Sequence, residues 1–287
     1  MRSALLSGLM VLCVLPAPAL AAPKTPLILA KNGKWEINYD KYACHLFASF
    51  GSGKEEATIR LTRYQPGDTQ TVNLYGQLFR AVQPFVSVEV TFPPHRPAKR
   101  DAAAGTIRKN IPLLILGKVR LDGAVPTKDG TMPAISPEQE AKVSSISLKV
   151  PGRRPVVLET GSFGAPMQAM RQCTDDLIQS WGYKPTDLAT LQRGPEPLTS
   201  PETWLRSEDY PMGPLYSGEN GIVQFRLEVD PAGSVSKCHV LYRTDPDGFA
   251  DLTCKQITKR AKFKPALDQA GVPTTWFYIN RASWKVG

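Results

Sequence analysis

Histidine is scarce in this chain: His45, His95 and His239 are the whole supply in 287 residues. No C-x-x-C, no H-x-x-x-H and no phosphate-cradling glycine loop occurs, so neither a zinc site nor a nucleotide pocket has its usual spacing. Two Cys-His neighbours, Cys44-His45 and Cys238-His239, invite a metal reading. Adjacent strand residues point to opposite faces, however, and a disulfide would consume the thiolates that a metal needs. No metal and no cofactor are therefore expected. Thr160-Gly161-Ser162-Phe163-Gly164 lacks the spacing of a nucleophile elbow, and Ser162 reads better as a helix cap. Asp175-Asp176 reads as a solvated pair, because adjacent helical positions diverge by about 100°. The chain is read as a non-enzyme. An envelope enzyme, with a site near His45, His95 or Asp175, is the reading it must be weighed against.

Long apolar runs are also missing, apart from one at the start. Arg2 precedes the apolar stretch Ala4 to Leu15, and Ala19-Leu20-Ala21 supplies an A-x-A site, the pattern of a cleaved signal peptide over residues 1–21. The stretch is too short to span a bilayer, which takes about 18 residues or more. Cys13 belongs to this segment. The expected location is the periplasm, without stable membrane insertion; an uncleaved inner-membrane anchor facing the periplasm is the alternative. The formal charge of +9 falls by one when Arg2 is removed. The densest basic run, His95 to Arg100, reads as a solvated loop, and no nucleic-acid motif accompanies it.

Cys44, Cys173, Cys238 and Cys254 remain, an even number that reads as two disulfides in an exported protein. Strand patterns fill residues 34–160: Trp35-Tyr39, Cys44-Phe50, Ala57-Tyr64, Thr71-Gly76, Phe85-Phe92, Leu113-Val119, Val143-Val150 and Val156-Leu158. Helical periodicity follows Ser162, with Pro166 in the first turn and Met170, Cys173, Leu177 and Trp181 on one stripe. Cys173 thus faces the sheet, and Cys44 is its natural mate. Residues 22–183 read as a β-rich domain, a sandwich or barrel-like sheet with one closing helix.

Residues 184–201 read as a linker and 202–287 as a small α+β domain. Val223, Phe225, Leu227 and Val229 alternate with polar residues, and Asp230-Pro231-Ala232-Gly233 has turn chemistry. The return strand carries Val235, Cys238, Val240 and Tyr242. A helix after Asp247-Gly248 puts Ala250, Cys254, Ile257 and Ala261 on one stripe, and Pro265 ends it. That helix must cover the hairpin, so Cys238 is paired with Cys254. A last strand runs from Thr275 to Ser283.

From Tyr210 to about Val286 the chain resembles the C-terminal domain of the TonB family. The matching features are Tyr210-Pro211, Gly221-Ile222-Val223, Val229-Asp230, Gly233-Ser234-Val235 and Phe263-Lys264-Pro265-Ala266. The resemblance implies a three-stranded antiparallel sheet with two helices. It also implies a periplasmic module that grips a short segment of an outer-membrane TonB-dependent receptor. The sequence departs from a full energy transducer in its cleavable start and in having a folded domain where a proline-rich spacer would be. The function expected is therefore protein contact in the envelope, by strand addition to the module's last strand. A true transducer with an uncleaved anchor is the alternative, and a homodimer is allowed. Trp276, Tyr278 and Asn280 are read as sharing one face of the last strand, against either core or ligand. Tyr210 and Pro211 are the other candidate contacts.

Overall fold

The computed structural model describes residues 25–125, 132–244 and 248–286. The expected signal peptide, Cys13 and Asp247 lie outside these. The first domain is a closed barrel. Its strands are β1 (Leu27–Tyr39), β2 (Cys44–Phe50), β3 (Ala57–Arg63), β4 (Gln70–Tyr75) and β5 (Phe85–Thr91), then β6 (Ala98–Ile107), β7 (Ile111–Val119), β8 (Ser145–Lys149) and β9 (Val156–Glu159). Their order around the barrel is β1-β2-β3-β4-β7-β6-β5-β8-β9. All pairings are antiparallel except the closing one, β1 with β9.

Period-2 alternation fills the barrel. On β2, Cys44, Leu46, Ala48 and Phe50 are buried while the residues between them are half-buried. With Ile59, Leu61, Leu74, Leu114, Leu116, Val88, Ile146 and Leu158 they make one core. Closure leaves this sheet no free edge. Helix α1 (Pro137–Lys142) opens with a capping box between Ser136 and Gln139. Helix α2 (Gly164–Ser180) lays Met167, Met170, Cys173 and Leu177 into the barrel core. The Cys44–Cys173 bridge, S–S 2.02 Å, staples it to β2. Ser162 Oγ accepts the Gly164 amide at 3.3 Å, the capping role expected of it, although Phe163 is the N-cap residue.

Two sequence expectations change here. β1 begins at Leu27, well before Trp35, because its first half pairs with β9 as well as β2. The basic run from His95 is not simply a solvated loop: it leads into β6, which no apolar alternation announces. Register with β5 and β7 forms that strand, and Arg100, only 8 % exposed, donates to the Gly123 and Ala124 carbonyls.

Residues 184–201, expected as a linker, carry α3 (Pro185–Thr190) and β10 (Glu196–Pro197). Leu188 and Leu191 pack with Trp181, Trp276 and Phe277, so the segment straps the two domains together. The second domain then runs through α4 (Met212–Ser217), β11 (Gly221–Val229), β12 (Val235–Arg243), α5 (Gly248–Arg260), β13 (Phe263–Lys264), β14 (Ala266–Leu267), β15 (Pro273–Thr274) and β16 (Trp276–Trp284). β10 pairs with β13, and β14 with β15. The main sheet is three-stranded and antiparallel, in the order β12-β11-β16.

The hairpin turn is built by Asp230, whose Oδ1 accepts the Ala232 and Ser234 amides. Gly233 sits at φ +77, and a Cβ there would strike the Phe263 carbonyl, so the turn and the start of β13 both demand glycine. Val223, Phe225, Leu227 and Val229 face α5, and Cys238–Cys254, S–S 2.03 Å, ties β12 to it. A bulge between Val240 and Tyr242 shifts the phase of β12. Tyr242 is thereby opposite Gln224, on the face away from α5, and not in line with Cys238 and Val240 as simple alternation would place it.

Candidate partner-binding edge

β11 is central in its sheet, so β12 and β16 each have one side without a strand. On β16, Tyr278, Ala282 and Trp284 belong to the core beneath α5, while Phe277 and Ile279 join the cluster around Trp181 and Tyr183. Strand alternation adds Asn280 to the first face and Arg281 to the second. Asn280 Nδ2 donates to Tyr278 Oη at 2.9 Å, in keeping with a shared face. Trp276 breaks the expected pattern. It stacks on Phe277 (5.3 Å) and meets Tyr183 edge-on (4.9 Å), because the strand starts there and the indole swings toward the barrel's helix.

Trp276 is 6 % exposed, and Tyr278 packs against Trp204 and Phe263. Trp276 is buried and Tyr278 half-buried against the core, and β16 also leaves its outward main chain open. The Arg281 amide donates to Asn280 Oδ1 at 2.9 Å, which marks it as turned away from β11. By alternation Phe277, Ile279 and Ser283 share that outward side. Tyr210 lies edge-on to Phe249 (5.4 Å) and Trp284 (5.6 Å), and its hydroxyl donates to the Glu219 carbonyl. Pro211 is the N-cap residue of α4. The pair thus forms a lead-in turn over the α5 core, followed on α4 by the exposed Met212 and Tyr216.

The sheet face away from α5 lies against the barrel wall. Ile222 packs on Leu113 and Ile115, and the Arg226 guanidinium sits 4.1 Å from the Trp181 ring centroid. Arg281 fills the space above Gly117, where a Cβ would collide with its guanidinium. Lys285 Nζ stands 4.2 Å from the Phe85 ring centroid. None of these contacts was legible in the sequence, although one signal was present. Arg281 is a lone charge within the aromatic and aliphatic run of β16.

Two clefts open among the described residues. One, of about 440 Å³, lies between β1 and α2 and is lined by Lys31, Trp35, Leu46 and Pro166 among others. The second, of about 460 Å³, lies between the barrel and the start of β11. Neither is lined by a histidine or a carboxylate. His45 stands on the barrel's outer wall with Nδ1 2.9 Å from Thr62 Oγ1. Burial, then the charge of Arg60, lowers its pKa to about 4. Asp175 is raised by burial and by Asp176. No three His, Cys, Asp or Glu side chains among the described residues are grouped to hold a metal.

Residues 206–286 match the family model described as Gram-negative bacterial TonB protein C-terminal. That is a little over a quarter of the chain, and it contains the whole β12-β11-β16 sheet. The match carries a protein-interaction role in the envelope. No curated protein and no solved structure matches the chain. No helix among the described residues is long and apolar enough to cross a membrane.

Proposed function

We propose that this protein is an exported, periplasmic interaction protein that catches an extended segment of an envelope partner, adding it as a fourth strand to the outer edge of β16. An outer-membrane receptor is the partner class favoured by the family match at residues 206–286. The observation that carries the reading is that edge. It has no neighbouring strand, and its Arg281 amide is held only by the adjacent Asn280 side chain. An unpaired row of N–H and C=O groups is a template for strand addition. The barrel supports this use by covering one sheet face while α5 covers the other. The partner is left with an edge held from both sides. Tyr210, Pro211, Trp276 and Tyr278 act in this scheme by shaping and bracing the edge, and Asn280 by capping the Arg281 amide until the incoming strand takes its place.

The reading is tested by Ser283→Pro, which removes an outward N–H on an exposed residue while leaving the bonds to β11. A bound extended peptide should lose affinity by about tenfold, the weight of one edge hydrogen bond and its neighbours. The same change should leave the melting temperature nearly unaltered. Unchanged peptide affinity in the proline variant would refute the use of this edge. Location is tested separately by the intact mass of protein from its native envelope fraction. Cleavage before Ala22 is expected, and a membrane-bound product retaining Met1 would favour an anchored transducer instead.

A further inference from the structure

The apolar stripe on the barrel wall that receives the module does not stop where the module stops. Leu113 and Ile115 on β7 are covered by Ile222. Ile111, two residues before Leu113 and so on the same side of the strand, is exposed, and its cross-strand partner Ile107 on β6 is exposed beside it. Phe85 on β5 is opposite Ala103, which shares the Ile107 face of β6, and it too is exposed. Phe85 and Ile107 line the cleft of about 460 Å³ beside the first residues of β11. Three large apolar side chains thus stand together at one barrel rim, continuous with the wall that already buries Ile222.

The same rim is basic. Arg108 follows Ile107 at the hairpin tip, Arg80 stands on the segment before β5, and both are exposed. Lys285 Nζ is 4.2 Å from the Phe85 ring centroid. Arg153, in the turn between β8 and β9, donates to the Arg80 carbonyl at 2.8 Å, which brings that turn and the exposed Arg154 to the rim. The sequence segments that build this part of the barrel, 69–88, 102–121 and 141–158, contain no aspartate or glutamate. Glu55 and Glu56 lie further round, on the turn between β2 and β3, beside Lys54.

We infer that this rim docks the protein on a bilayer surface containing anionic phospholipid. Ile107, Ile111 and Phe85 enter the boundary between headgroups and acyl chains, while Arg80, Arg108 and Lys285 stay with the lipid phosphates. Apolar tips ringed by cations of one sign match such a surface in both respects. A protein segment is the poorer fit, because the rim is made of turns on a closed sheet and offers no strand edge. A fluid surface needs no matching shape. The contact is peripheral and reversible, and no strand crosses the bilayer. Lys285 directly follows β16, so a docked rim also holds the end of that strand near the membrane.

The probes are vesicles of phosphatidylcholine alone and of phosphatidylcholine with about one third phosphatidylglycerol. Cosedimentation is measured for the chain from Ala22 with both disulfides intact, which keeps every described element and omits the apolar run that would itself partition. Anionic vesicles should hold it at least about tenfold more strongly than neutral ones, and salt of about 0.5 M should erase most of the difference. Arg80→Gln with Arg108→Gln should cut binding by about tenfold or more, since one cation near such a surface contributes about fivefold. Ile107→Ser with Ile111→Ser should weaken it by about tenfold. Both pairs are exposed, so melting temperatures should hold. Lys255→Gln with Lys259→Gln, on the exposed face of α5, should leave binding unchanged.

Equal binding to neutral and anionic vesicles, or binding to neither, would overturn the inference. So would an equal loss in the α5 variant, or no loss in the serine variant, either of which would reduce the effect to diffuse positive charge. A short-chain phosphatidylglycerol dispersed as monomers and bound as tightly as the vesicles would assign the cleft to a single lipid and overturn docking on a surface. None of these outcomes depends on peptide binding, so strand addition at β16 stands or falls separately.

Discussion

Asn280 turns its side-chain oxygen back onto the amide of the next residue, Arg281, at 2.9 Å, while its nitrogen donates to Tyr278 Oη, also at 2.9 Å. One side chain thus occupies a main-chain donor on the outer edge of β16 and is itself steered by a core aromatic. Unprotected edges invite unwanted pairing, and a removable polar cap is one way to blunt them.

Asn280→Ala deletes both bonds at a half-buried position. Stability should fall by about 1 kcal/mol, the net value of such hydrogen bonds. The uncovered edge should also bind extended peptides more tightly or pair with a second copy. Urea denaturation and sedimentation velocity measure the two effects. A variant that loses stability without any gain in association would show that the cap is only structural.

The Arg226 guanidinium over Trp181 joins the module's central strand to the barrel's helix. Phe277 meets the same indole edge-on at 5.6 Å. Trp181→Ala should therefore loosen the two domains as well as open a cavity, costing about 3 kcal/mol or more. Calorimetry of this variant should resolve two transitions. A single transition lowered as a unit would mean that the strap of residues 184–201 suffices to couple the domains.

The two disulfides close very different loops, with separations of 129 residues for Cys44–Cys173 and 16 for Cys238–Cys254. Loop-closure entropy assigns about 5 kcal/mol to the first and about 3 kcal/mol to the second, as upper values. Removing the first bridge by paired alanine substitution should lower the melting temperature further than removing the second. The reverse order would mean that denatured-state structure, and not loop length, sets their worth.

Asp209 receives two bonds from the Arg260 guanidinium and one from the Arg206 amide. The Arg260 bonds hold its carboxyl below the ordinary carboxylate range, against the opposing pull of burial. A carboxyl depressed in the fold adds its full stabilisation above about pH 4, and loses it as pH falls through the folded pKa. Wild type should thus exceed Asp209→Asn in urea midpoint at neutral pH, with the gap closing between about pH 5 and about pH 2. A gap independent of pH would mean that the loss is one of packing alone.

Elements whose side chains alternate were readable from the residues. β2, β3 and β11 carry apolar residues at every second place, and the α2 and α5 stripes located both disulfides. β6 was hidden because its pairing is decided by neighbours distant in sequence, and its alanines give no pattern. Tyr242 was turned the wrong way by a bulge that no local signal marks. At the candidate site the strand was legible but its working part was not. Trp276 and Tyr278 drew attention as aromatics, yet they are packed inward, and the groups left outside are amides that every residue possesses. The contacts of Arg226 with Trp181 and of Arg281 with Gly117 needed the barrel and the sheet to be brought together, since these residues are scattered along the chain.

The most direct test is amide hydrogen exchange with and without a bound extended, β-prone peptide. The account requires new protection at the outward amides of β16, Ile279, Arg281 and Ser283, with β12 unchanged. Protection appearing on β12 instead, or on neither strand while the peptide is bound, would contradict it.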